Sequence, residues 1–272
     1  MSARYIRAPA VAGMFYPSDP DALRGAVLRL LADAEREQHP PVAMIAPHAG
    51  YMYSGPIAAS AFAQLERYEP PPLRVAVIGP AHREYVKGVA IPRAGAFATP
   101  LGEMPVDQEA LAGLAALPQV VVSDSAHARE HCIEVELPFL QVLWDGVALV
   151  PVLVGDTTAE AVHEVIEQIW DEQTFVVISS DLSHYLDYDS ARRIDLQTTQ
   201  AIERLAYTEL ASLQACGSLP IAGLLLSARR RGLRLRAVDV RNSGDTAGER
   251  DRVVGYGAYL VEYESDPHPR LQ

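Results

Sequence analysis

Short apolar runs, each ended abruptly by Pro, Ser or Gly, alternate along this chain with longer stretches of helical period. Val42-Ala-Met-Ile-Ala46, Val75-Ala-Val-Ile78, Ala148-Leu-Val-Pro-Val-Leu-Val154 and Phe175-Val-Val-Ile-Ser179 show no polar alternation. Runs of this kind are read as strands buried on both faces. Further strands are predicted over 89–91, 119–122 (an edge strand), 233–240 and 253–262. Helices are predicted over 21–37, 56–64, 107–116, 132–144, 158–170, 190–213 and 220–231, with Pro20 and Pro56 as helix-start signals. The stretch 86–101 is less regular. Strand–helix–strand alternation points to right-handed crossovers and helices on both faces of a sheet. The expected fold is a single three-layer α/β/α domain with a mostly parallel mixed sheet. No repeat, low-complexity tract or composition break divides residues 1–272, of which 1–20 read as an extended N-terminal segment and 263–272 as a tail.

Composition narrows the function classes. The chain has 49% hydrophobic and 21% charged residues and a formal net charge of −12. That balance suits a globular protein with a sizeable core and argues against nonspecific nucleic-acid binding, which needs a Lys/Arg surface. The cations Arg229, Arg230 and Arg231 are read as a helix end before Gly232, where they complement the dipole. No apolar run approaches the roughly 18 residues that span a bilayer, and the first residues lack a secretory apolar region. A cytoplasmic location is expected. The two cysteines, Cys132 and Cys216, exclude a disulfide framework, so each must be a packed thiol, a reactive thiol or a ligand.

Against this background the histidines stand out. His48 follows the run ending at Ala46, His82 the run ending at Ile78, and His184 the run ending at Ser179; His131 opens a segment after Val120-Val-Val122. The carboxyl ends of parallel strands are where an open α/β sheet builds its crevice. Two imidazoles with the Cys216 thiol, on three separate loops, would form a ligand set with open positions, for which zinc, copper and iron are all chemically plausible. Ala215-Cys-Gly-Ser-Leu-Pro-Ile221 puts the thiol before a predicted helix start, which favours thiolate. Taken alone, Cys216 reads more readily as a buried packed thiol than as a ligand, and Cys132 is read as a packed thiol. Asp181 lies three residues before His184 and is placed to orient its ring for acid/base work, or to cap the following turn. Glu134 and Glu136 could serve His131 in the same way, although Glu136 also fits a solvated helix position. His39, His127, His163 and His268 lack partners in sequence and are read as structural or exposed.

Taken together, six segments resemble the Memo family: Ala46-Pro-His-Ala-Gly-Tyr51, Gly79-Pro-Ala-His82, Glu130-His-Cys-Ile-Glu-Val-Glu-Leu-Pro-Phe139, Val150-Pro-Val-Leu-Val-Gly155, Ser179-Ser-Asp-Leu-Ser-His184 and Cys216-Gly-Ser-Leu-Pro-Ile221. Arg7-Ala-Pro-Ala-Val-Ala-Gly-Met-Phe-Tyr-Pro17 and Asn242-Ser-Gly-Asp245 resemble its microbial branch, the AmmeMemoRadiSam system protein B. The resemblance covers nearly the whole chain. It implies a fold like that of the class III extradiol ring-cleaving dioxygenases, which bind Fe(II) through two histidines and a glutamate. It further implies His48, His82 and Cys216 as metal ligands, iron(II) or copper as the metal, and Asp181, His184 and His131 as catalytic neighbours. Cys216 stands where the dioxygenases carry glutamate, which sets this chain apart from aromatic ring cleavage. The system name implies an AMMECR-type protein and a radical SAM enzyme as partners.

The expected function is therefore that of a redox-active, non-haem metalloprotein acting on a small molecule. A zinc hydrolase with His184 as base and a non-catalytic binding module or metal carrier are the alternatives. A serine hydrolase built on Ser179 or Ser180 with His184 lacks the Gly-x-Ser-x-Gly elbow around either serine.

Overall fold

The computed structural model describes residues 5–36, 40–212 and 215–264. The strands in chain order are β1 (Ile6–Arg7), β2 (Ala43–Ala46), β3 (Arg74–Pro80), β4 (Val89–Ile91), β5 (Ala96–Thr99), β6 (Gly102–Pro105), β7 (Val120–Val122), β8 (Ala148–Val154), β9 (Thr174–Ser179), β10 (His184–Leu186), β11 (Leu233–Asn242) and β12 (Val253–Tyr263). The helices are α1 (Pro20–Asp33), α2 (Tyr51–Phe62), α3 (Gln108–Leu114), α4 (Asp124–Ala128), α5 (Leu137–Leu143), α6 (Ala159–Ile169), α7 (Tyr188–Glu203) and α8 (Ser218–Arg231).

The main sheet runs β10-β12-β2-β9-β3-β8-β4-β7, with β11 also paired to β12. At its centre β2, β9, β3 and β8 are parallel, while β12 and β4 join them antiparallel on either side. The four central strands are the unbroken apolar runs of the sequence, and their residues are almost wholly buried. Helices α1, α2 and α5 pack together on one face, and α3, α6, α7 and α8 on the other. A small second sheet, β1-β5-β6, accounts for the irregular stretch after residue 86. No helix among the described residues is long and apolar enough to cross a membrane.

Several boundaries shift for identifiable reasons. Helix α2 begins at Tyr51, and Pro56 lies inside it. The carbonyl left without a donor is that of Met52, an exposed residue, so water can satisfy it. The helix expected over 132–144 splits into a 3₁₀ turn at Glu134–Glu136 and α5, whose first turn holds Pro138. The long helix expected over 190–213 ends at Glu203, because Leu205 takes a left-handed φ of 55°, and a 3₁₀ segment, Tyr207–Ser212, follows. Helix α8 stops at Gly232 (φ 65°) after its three arginines, as the sequence indicates. His39 and His268 lie outside the described residues.

Candidate metal centre

Three of the four central parallel strands, β2, β3 and β9, deliver their loops to one end of the sheet. Pro47 follows β2 and sets His48 in the short loop before α2. The His48 N–H donates to Asp181 Oδ1 (2.8 Å), a carboxylate arriving from the end of β9. His82 follows β3, and His131 comes from the turn after α4. The ring centroids of His48 and His82 lie 5.2 Å apart, those of His48 and His131 5.3 Å, and those of His82 and His131 4.8 Å. One donor nitrogen from each ring lies within 4.8 Å of the others.

Cys216 closes the cluster, its Sγ 3.4 Å from His48 Nε2. The Asp181 N–H donates to this sulphur (3.3 Å). Gly217 sits where a Cβ would come within 2.6 Å of Ser180, so this close approach of the α8 start to the β9 loop requires glycine. Gly79 plays the matching part at β3: a Cβ there would lie 2.6 Å from Cys132 Sγ.

A buried carboxylate orients the His82 ring and lies beside that of His131. Glu130 Oε1 is 2.9 Å from His82 Nδ1, and Oε2 accepts the His82 N–H at 2.6 Å. Oε1 also lies 3.1 Å from His131 Nδ1, out of line for a hydrogen bond. With its Nδ1 turned to the carboxylate, each ring leaves Nε2 for a ligand, the arrangement by which a carboxylate fixes a metal-binding imidazole. Burial raises the Glu130 carboxyl, but the His131 and His82 rings outweigh it and hold it well below the usual range. Burial, with the His131 and His82 rings beside it, lowers His48 far below its usual value, so its imidazole is neutral and able to ligate. Phe15 covers His131 (centroids 5.1 Å apart). Beyond His82 a groove of about 740 Å³ opens between residues 5–11 and the side chains of Arg83 and Arg129.

Comparison with known proteins places the chain in a lineage. The family described as Memo-like protein matches residues 7–260. A MEMO1 family protein of Sulfolobus acidocaldarius is 35% identical, covering 92% of this chain and 97% of the relative. One from Thermotoga neapolitana is 36% identical over 92% and 98%. The chain belongs to the Memo family. A solved structure, an uncharacterized protein JW3007 from Escherichia coli K12, shares the fold at TM-score 0.51 and 14% identity, covering 80% of this chain and 98% of that one.

Within this Memo protein the sequence-derived residues take up distinct positions. His48, His82, His131 and Cys216 come together, so His131 is placed as a donor as well as a neighbour. Asp181 accepts the His48 main-chain N–H at Oδ1 and makes no hydrogen bond to His184, contrary to the spacing argument. His184 begins β10, half-exposed at the rim with its ring against Tyr185, near enough for its charge to act on His48 and Asp181. The expectation that the α8 start favours thiolate at Cys216 is overturned. Burial and the Asp181 charge push that thiol up to about 12, outweighing the N–H groups of Asp181 and Gly217.

Glu136 is not a solvated helix position but wholly buried. Glu134 is buried too and serves the N-terminal segment, not His131. It pairs with Arg7 and accepts from the Ala10 and Val11 N–H groups and the Tyr16 hydroxyl. Cys132 is a packed thiol donating to the Pro80 carbonyl. His127 and His163 are buried structural histidines, bonded to the Ala90 carbonyl and the Ser227 hydroxyl. Neither Ser179 nor Ser180 bonds to His184; Ser179 meets His48 instead and Ser180 the Asp181 carbonyl. The residue that sequence reasoning passed over is Glu130, whose position directly before His131 was the available signal.

Proposed function

We propose that this Memo protein holds a single redox-active metal ion, iron(II) or copper, through His48, His82 and Cys216. His131 would stand beside the ion as a further donor or a contact for substrate. The observation that carries this reading is the meeting of three imidazoles and one thiol at the carboxyl end of the parallel strands. The Nδ1 atoms of His48 and His82 are turned to Ser179 and Glu130 behind them. Imidazole with thiolate is a donor set that suits a transition metal rather than calcium or magnesium. The chemistry such an ion supplies is electron transfer or oxygen activation at positions left open by the protein. The chain's own part is to hold the His48 ring neutral, to orient His82 through Glu130 and fix the His48 main chain through Asp181, and to offer the His184 imidazole on the rim for proton transfer.

A cytosolic site of action, with an AMMECR-type protein and a radical SAM enzyme as partners, completes the proposal. The second reading is a zinc-dependent hydrolase, favoured by the mutual proximity of His48, His82 and His131, since three imidazoles and an open position form a common catalytic zinc site. Metal analysis of anaerobically purified protein separates the two. Iron or copper at one equivalent, lost on Cys216→Ala, supports the first; zinc retained in Cys216→Ala but lost in His131→Ala supports the second.

A further inference from the structure

Behind the ligand cluster lies a buried acid that the metal centre itself does not use. Glu136 is wholly buried, Oε1 is 2.8 Å from Ser179 Oγ, and Oε2 has no hydrogen-bond partner. Ser179 Oγ is also 2.6 Å from the Cys132 carbonyl oxygen and 2.8 Å from His48 Nδ1. Three polar atoms thus converge on one hydroxyl, which owns a single proton.

The Cys132 carbonyl can only accept, so the Ser179 proton must point to it if that 2.6 Å contact is to be a hydrogen bond. The hydroxyl then has only lone pairs to offer, and both remaining neighbours must bring protons of their own. An ionised Glu136 has none. It would either leave two oxygens facing each other without a proton between them or take the serine proton and strip the carbonyl of its donor. A bare second oxygen makes a buried carboxylate costlier still. One assignment satisfies every short contact: Glu136 is a carboxylic acid donating to Ser179, His48 donates from Nδ1 to the same oxygen, and Ser179 donates to Cys132.

We infer that Glu136 is a protonated positioning residue which, through Ser179, locks His48 in the Nδ1–H tautomer and presents its Nε2 lone pair to the site. The metal reading above supplies the use for that lone pair, but the hydrogen-bond network exists without the ion. Burial together with the Asp181 charge raises the Glu136 carboxyl well above its ordinary range, in the same direction as the proton count. Holding Glu136 neutral also spares the site a further negative charge, so anionic donation to an ion is left to Cys216.

The deciding tests, the tautomer and the acid band, use metal-free protein, so that this network and the metal reading can fail separately. Protein labelled with ¹⁵N-histidine should show the His48 ring protonated at Nδ1 only. Infrared difference spectra between wild type and Glu136→Gln should show a protonated carboxylic-acid carbonyl band at neutral pH, lost in the variant. Because a Gln amide replaces the O–H donor with an N–H donor, Glu136→Gln should keep the His48 tautomer and bind metal within about threefold of wild type. Ser179→Ala, which removes the acceptor, should let His48 populate the Nε2–H form and weaken metal by about 10–100-fold. A His48 ring protonated at Nε2 in the wild type overturns the proposal, and so does a wild-type spectrum without the acid band. The tautomer measurement needs no variant and stands even if Glu136→Gln does not fold.

Discussion

Glu134 and Glu136 are two residues apart on one 3₁₀ turn, equally buried, and put to opposite uses. Glu134 is saturated: a guanidinium, two backbone N–H groups and a phenol converge on it, and all four come from the N-terminal segment. Glu136 has one neighbour and one bare oxygen, and faces the end of β9, where the histidines gather. A fully compensated buried carboxylate is a fastener; an undersupplied one marks the place where the fold gives up stability to arrange chemistry. The same turn therefore ties down the strap over the site on one side and supports His48 on the other.

Breaking the fastener should have the largest effect on the fold. Arg7→Ala leaves the Glu134 charge buried with its cation gone, and we expect about 3–5 kcal/mol of destabilisation in denaturant unfolding. A loss under about 1 kcal/mol would mean that Glu134 takes up a proton instead and the comparison is drawn too sharply.

On the chemical side the expected effects fall on metal and spare the fold. Cys216→Ser should keep its unfolding midpoint yet lose metal by more than the about 10–100-fold typical of a residue that only orients a ligand. Cys216→Glu should regain iron by restoring a two-histidine, one-carboxylate set. His184→Ala should bind metal as the wild type does, since its ring lies at the rim. Mass spectrometric metal content on the three variants decides the point. Metal loss in His184→Ala with none in Cys216→Ser would exchange their places.

The pH dependence of loading follows from the same residues. The Cys216 thiol, pushed up to about 12, is protonated at neutral pH and must give up its proton to become a ligand, whereas His48 is already neutral. Affinity should therefore rise with pH, by about tenfold per unit from the thiol alone, as competition titrations would show. A flat profile for the Cys216→Ser variant would assign the slope to the thiol; a flat profile for the wild type would remove the thiol from the ligand set. The smallest effect is electrostatic. Asp181→Asn keeps an acceptor for the His48 N–H but removes the charge that raises the thiol, so the thiolate ultraviolet band should titrate below the wild-type position.

The parts legible from sequence were those with a local cause. Unbroken apolar runs gave the four central strands, and a histidine beyond the end of each of three of them gave the site's position. Asp107 and Thr158, where two helices were expected to start, cap α3 and α6, a signal carried within a few residues. What sequence could not reveal depends on distant neighbours. That Glu134 meets Arg7, that Asp181 meets the His48 N–H in place of the His184 ring, and that Glu136 is buried at all are products of packing across the sheet ends. Spacing along the chain suggested a carboxylate–histidine pair at Asp181 and His184; the working pair is Glu130 with His82, 48 residues apart. The thiol misled for a similar reason, because a helix start alone does not offset desolvation beside a buried aspartate.

The central claim is that one metal ion is shared by imidazoles and the Cys216 thiolate. X-ray absorption at the edge of the bound metal tests it most directly. The account predicts a shell of two or three imidazole nitrogens and one sulphur, the sulphur vanishing in Cys216→Ser; a shell of nitrogen and oxygen alone in the wild-type protein would contradict it.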